Sequence, residues 1–206
     1  MKTSPAVVAS TAGDTQTFAM ERSLTDNALR SARVDQALWR FEQELRRAER
    51  IEDANLRRNF LTEACVRWSE FDPADALRIV HELGLDDVAS GVFEDILQKW
   101  AEASFDDALA WARRESAGEQ RDRVMTRLAF LRAETRPENA ARLVAAEIPA
   151  GPTRDEAGIA VLHQWALRDL AAATRWADRF PPELQERAHR ELAVIERRRF
   201  AVGETN

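Results

Sequence analysis

The sequence predicts an all-α fold: a right-handed α-α superhelix, or solenoid, of about four to five helical hairpins with repeats of about 32 residues. Three observations predict it. First, a motif returns four times, as Trp68-Ser-Glu-Phe-Asp72-Pro73, Trp100-Ala-Glu-Ala-Ser104-Phe105, Arg132-Ala-Glu-Thr135-Arg136-Pro137 and Trp165-Ala-Leu-Arg-Asp169-Leu170. Its anchors at 68, 100, 132 and 165 are separated by 32, 32 and 33 residues. Eight residues after each anchor stands an alanine (Ala76, Ala108, Ala140, Ala173), and eleven after it a large apolar residue (Ile79, Trp111, Leu143, Trp176). Second, alanine, leucine, arginine and glutamate dominate the composition, and these residues favour helix. Third, tyrosine is absent and β-branched residues form no alternating run, so no strand is predicted.

Residues 1–24 are rich in Ser, Thr, Ala and Gly and lack periodicity, which reads as a flexible segment or partner-binding arm. The apolar run Ala6-Val7-Val8-Ala9 is shorter than the roughly 7–15 residues of a signal peptide. The repeat domain is placed at 25–200, with a C-terminal tail at 201–206. Ala37, Leu38, Phe41 and Leu45 mark an amphipathic helix over 26–49. Leu56, Phe60, Leu61, Ala64, Cys65 and Trp68 share a face of a second, over about 53–70. This pair reads as a degenerate first repeat.

Within each repeat the motif marks a helix start. Asp72 is a good N-cap because its carboxylate accepts free first-turn N–H groups, and Pro73 suits N1, where a missing N–H costs little. Ser104 with Asp107, and Thr135 with Glu138, have capping-box spacing, and Asp169 serves as cap in the last copy. First helices are therefore expected at about 73–83, 105–115, 137–147 and 170–179. Gly84 and Gly118 suit the left-handed position after a helix end, while Pro149 to Pro152 and Pro181-Pro182 break the later copies. Second helices are expected at about 86–101, 119–133, 153–167 and 183–199. The small repeat alanine allows close helix approach, near ~8 Å between axes, and the anchor tryptophan covers the joint between hairpins.

The motif resembles the tandem W-A-x-x-D-P-x-x-A-x-x-W helical repeats of bacterial proteins, over about residues 68–180. More loosely it is similar to the tetratricopeptide and HEAT classes of α-solenoid. Its first helix is short, and the Leu-Gly and Tyr positions of the tetratricopeptide pattern do not line up. The resemblance implies a helical-hairpin solenoid and leaves substrate and partner open. The arginine-rich, lysine-poor composition agrees with a bacterial source of high GC content.

The net charge of −6 comes from acids and arginines mixed along the whole chain, which argues against nucleic acid as a partner. No stretch approaches the ~20 apolar residues that span a bilayer. The compartment is left unknown, with a cytoplasmic location favoured and export left open. Cys65, the single cysteine, lies on an apolar helix face and reads as a core thiol. His81, His163 and His189 lack metal-pair spacing; His81 suits a helix end, and His163 a surface or groove.

Asp86-Asp87 and Asp106-Asp107 read as helix-start acids, and Glu94-Asp95 as a solvated mid-helix pair. The basic runs Arg46-Arg47, Arg57-Arg58, Arg113-Arg114 and Arg197 to Arg199 have acidic neighbours and read chiefly as i,i+4 ion pairs. No nucleophile, phosphate-loop or dinucleotide motif occurs, so neither catalysis nor a cofactor or metal is expected.

The expected function is a non-catalytic protein–protein interaction or scaffold module whose partner is another protein or peptide. Candidate partner-binding residues are Trp39, Trp111, Trp176 and His163. Trp111 and Trp176 have two readings, as a sticky groove on the first helices or as filler between repeats. Trp39 reads as an exposed docking residue. One alternative is a structural subunit that self-associates through its terminal helices, since Leu184, Ala188, Leu192 and Ile195 have no following repeat to cover them. A HEAT-like nucleic-acid-binding protein or enzyme is the third class.

Overall fold

The computed structural model describes residues 11–87 and 91–203, with side chains over 24–87 and 91–198. The described residues form ten α-helices and no strand, so the all-α expectation holds. The chain divides into two compact units, Met1–Leu85 and Asp86–Asn206.

The first unit holds α1 (Thr11–Ala48), α2 (Ala54–Trp68) and α3 (Pro73–Glu82), with α1 packed on α2 and α2 on α3. The helix expected from residue 26 starts at Thr11 instead, while residues 1–10 lie outside the described residues. Phe41 and Ala48 of α1 meet the buried Ala64, Cys65 and Trp68 side of α2. Asp53 caps α2, accepting from the Leu56 N–H at 2.8 Å, and Asp72 caps α3, accepting from Asp75 N–H at 2.9 Å. Helix α3 ends in a Schellman motif. Gly84 N–H donates to the His81 carbonyl and Leu85 N–H to the Val80 carbonyl, with Gly84 at φ +63°. A side chain at that φ would cost about 1–2 kcal/mol. Buried Leu85 closes the turn.

Helix α1 has 38 residues and α2 has 15, so their lengths are about 57 and 22 Å. The shorter helix cannot cover the longer one. Every residue from Leu24 to Gln36 is exposed.

The second unit holds α4 (Val92–Ala103), α5 (Phe105–Arg114), α6 (Glu119–Ala133), α7 (Pro137–Glu147), α8 (Pro152–Arg168), α9 (Leu170–Ala177) and α10 (Pro182–Gly203). Helices α4, α6, α8 and α10 touch in succession, and α5, α7 and α9 each pack against the two helices that flank them in sequence. The tail expected at 201–206 is helical through Gly203, and residues 204–206 lie outside the described residues.

Several local expectations need correction. Helix α4 begins at Val92 rather than 86, opened by Gly91 at φ +65°. Asp86-Asp87 therefore precede the helix. Glu94-Asp95 fall in its first turn, where Glu94 pairs with Arg123 at 3.4 Å instead of standing solvated. Ser104 makes no capping bond to a backbone N–H; its hydroxyl donates to Asp107 Oδ2 at 2.6 Å. Arg136, not Thr135, occupies the N-cap of α7, without a side-chain bond. Gly118 stands at the start of α6 and does not close α5. Asp169 caps as expected, accepting from Ala172 N–H at 2.9 Å.

Ala76, Ala108, Ala140 and Ala173 are all fully buried. A larger side chain at any of them would have to displace a neighbouring helix. Arginines tie successive elements together, chiefly by donating to carbonyls at helix ends, six residues away for Arg57 and Arg154 and 26 for Arg58 and Arg121. Arg57 reaches Ile51, Arg58 reaches Gly84, Arg121 reaches Glu147 and Arg154 reaches Ile148, at 2.6–3.1 Å. Planar guanidinium groups suit this work because they offer several donors at once. Two of the basic runs read as i,i+4 pairs thus act through longer-range bonds: Arg57 and Arg58 as above, and Arg113 to Glu147 at 2.8 Å.

The final helix also departs from expectation. Ala188, Leu192 and Ile195 are buried against α8 and α9, with Leu184 packed alongside, so this apolar face is covered. Outer polar groups complete α10, with Arg187 paired to Glu156 and Arg190 to Glu186.

Candidate functional site

The four candidate residues fall in different places. Trp39 lies on α1 and is 60% exposed, two residues before buried Phe41. Trp111 on α5 and Trp176 on α9 are half-buried. Each rests on the anchor tryptophan eleven residues earlier: Trp111 on Trp100 at 5.4 Å between centroids, and Trp176 on Trp165 at 5.6 Å. The ring of Trp176 also meets Phe180 edge-on at 4.7 Å. The spacing of eleven carries the chain from the end of one helix across a short corner onto the next, so that the two indoles meet. His163 on α8 is half-buried, its Nδ1 2.5 Å from Glu191 Oε1 on α10. Trp111 and Trp176 stand on helices that are not packed on each other, and Trp39 belongs to the other unit. Within the second unit, Trp111 and Trp176 are not brought together.

Two grooves are lined by arginine and aromatic side chains. In the second unit a cavity of about 530 Å³ lies between α5 and α7. Its arginines are engaged within the chain. Arg132 stacks 3.5 Å over the Phe105 ring and reaches Asp106 at 3.3 Å, and Arg113 is held by Glu147. Arg142 donates to Asn139 Oδ1 at 2.6 Å. Arg132 stands where the other copies carry the anchor tryptophan, and its flat guanidinium replaces the indole as a stacking surface.

The first unit holds a groove of about 350 Å³ that the sequence reading missed. Behind it runs a row of near-parallel rings, Phe41 on Trp68 at 5.6 Å and Trp68 on Phe71 at 6.3 Å. The Trp68 indole N–H is satisfied by Asp75 Oδ2 at 2.8 Å, which fixes the ring. Phe71 is the accessible member of the row, 44% exposed. Arg33 and Arg40 of α1 form one wall, and neither has an ion pair to an acid among the described residues. Arg67, from α2, is paired with Glu44 at 3.0 Å and Glu63 at 3.5 Å. The available signal was Phe71, an aromatic residue in a turn, together with two arginines seven residues apart on α1. Sequence alone does not bring residues 33 and 71 together.

The exposed large apolar side chains are unevenly placed. Leu24, Leu29, Val34, Leu38, Trp39, Leu56, Phe71 and Leu83 belong to the first unit, and Leu167 alone to the second, among the described residues. Five of them are on α1.

Cys65 is fully buried, and its thiol is pushed up to about 12, by burial first and by the Asp75 carboxylate second. A thiolate is therefore scarce at neutral pH. No group of three or more His, Cys, Asp or Glu side chains could hold a metal ion among the described residues. No helix is long and apolar enough to cross a membrane, again among the described residues. No family model, curated protein or solved structure matches this chain.

Proposed function

We propose that this chain is a non-catalytic interaction or scaffold module, built as a right-handed helical-repeat solenoid, that binds another protein or peptide. The observation that carries the reading is the uncovered stretch of α1, where every residue from Leu24 to Gln36 is exposed and Leu24, Leu29, Val34, Leu38 and Trp39 are large apolar side chains open to solvent. Scattered exposed leucines are ordinary, but a concentration of this kind, with a tryptophan 60% exposed, is typical of a surface that another molecule covers. The packing sequence in the second unit supports the solenoid, because each hairpin there meets the next through successive helices. The repeat motif carries the same pattern into residues 68–79 of the first unit.

Trp111 and Trp176 serve this architecture as packing partners of the anchor tryptophans. The alternative is a structural subunit that self-associates through a terminal helix. Its C-terminal motivation is gone, since α10 is covered, but α1 would serve it equally well.

Affinity capture from lysate of the source cells, with the full chain as bait, tests the proposal. One protein recovered at stoichiometric level, and lost with Leu38→Ala/Trp39→Ala, is the expected result. Recovery of the chain alone replaces the module with a self-assembling subunit. Recovery that survives the double substitution removes α1 as the contact.

A further inference from the structure

We propose that the groove of the first unit is a recognition site for an acidic peptide segment that carries one large apolar anchor. The inference rests on the interaction-module reading and names the chemistry of its partner. Charge is the first argument. The chain as a whole carries −6, yet the groove wall presents Arg33 and Arg40 with no ion pair to an acid among the described residues. Glu44 is already engaged by Arg67, which leaves Glu70 as the one acidic lining group outside an ion pair among the described residues. The free guanidinium groups outnumber it two to one, so the wall attracts carboxylates.

Geometry is the second argument. Arg33 and Arg40 stand seven residues apart on α1, about 10 Å along the axis. Two acids three residues apart in a polyproline II segment lie on one face about 9 Å apart, close to the same distance. Beside this wall Phe71 offers an exposed ring backed by the immobile Trp68 and Phe41 rings. A rigid aromatic surface flanked by arginines takes an aromatic or leucine side chain between flanking carboxylates. The volume of about 350 Å³ suits one or two such side chains rather than a whole folded domain. A basic or neutral peptide would leave both arginines unmatched, and nucleic acid would meet the Glu70 carboxylate in the groove.

The test pans a random dodecapeptide phage library on the immobilised full chain, then measures the recovered peptides by fluorescence anisotropy. Arg33→Glu/Arg40→Glu and Phe71→Ser serve as separate variants. All three positions are exposed, and circular dichroism checks that the helices persist. The expected result is enrichment of Asp or Glu around a Phe, Trp or Leu. Binding should weaken by about tenfold or more in the charge-reversed chain and in Phe71→Ser.

Three outcomes would overturn the proposal. Acid-poor sequences could be enriched, or the variants could bind as well as the parent chain, which would place recognition elsewhere while leaving the module reading intact. No enrichment on any surface would count against both. Sedimentation velocity supplies the third: a dimer that Arg33→Glu/Arg40→Glu converts to monomer would make the occupant a second copy of the chain.

Discussion

Ala140→Leu is the sharpest test of what the repeat is for. Ala140 is fully buried in the middle of α7, and α7 packs against both α6 and α8. Leucine adds three carbon atoms where no space is left, so α7 must move away from a neighbour or the side chain must leave its rotamer. Overpacking of this kind costs about 1–3 kcal/mol. Ala145→Leu is the control, because Ala145 is exposed on the same helix and leucine is nearly as good a helix former as alanine. Its effect should stay within about 0.5 kcal/mol. Urea unfolding followed by circular dichroism reads the difference. At about 2–3 kcal/mol per molar urea, the Ala140→Leu midpoint should fall by roughly 0.5–1 M while the control stays put. Equal midpoints for both variants and the parent chain would refute the idea that the motif alanine is a close-packing device.

Other perturbations separate packing from surface. Trp165→Ala, which removes a buried indole and its stacking on Trp176, should destabilise by about 3–5 kcal/mol, whereas Trp39→Ala should leave the melting temperature nearly unchanged. Glu147→Ala leaves Arg113 and Arg121 without their shared acid; a loss of about 1–2 kcal/mol is expected, and no loss would make the cluster ornamental to stability. Iodoacetamide at pH 8 should scarcely modify Cys65 in the native chain but label it readily in denaturant; rapid native labelling would contradict its burial. Hydrogen bonding from Arg187 holds the Glu156 carboxyl below its ordinary range. Whatever stability this pair adds is present above the unfolded value and is lost as pH falls through the lowered folded one. An NMR titration should show the Glu156 midpoint returning to the ordinary range in Arg187→Ala.

The parts of the fold legible in the sequence are those set by local chemistry. Asp72 and Asp169 act within three residues of themselves, so the starts of α3 and α9 could be read directly. Gly84 is legible for the same reason. The start of α4 was hidden because Asp86-Asp87 imitate a helix start, while Gly91 at positive φ opens the helix without a side-chain cap. The start of α1 was hidden because residues 11–24 lack apolar periodicity.

Sites were less legible. The repeat pattern marked Trp111 and Trp176 but not the ring-on-ring contact that half-buries them. The groove beside Phe71 depends on α1 crossing α2, which no local pattern records. The arginine bonds to distant carbonyls are invisible for the same reason, since residues 121 and 147 meet only through packing.

The most direct measurement is photo-crosslinking in the source cells from a light-activated residue placed at position 39, at 71, or at exposed position 145 of the second unit. The account predicts one heterologous adduct from 39 and 71 and none from 145. Adducts of equal yield from 145, or from no position at all, would contradict the claim that the exposed side of the first unit is where this protein meets its partner.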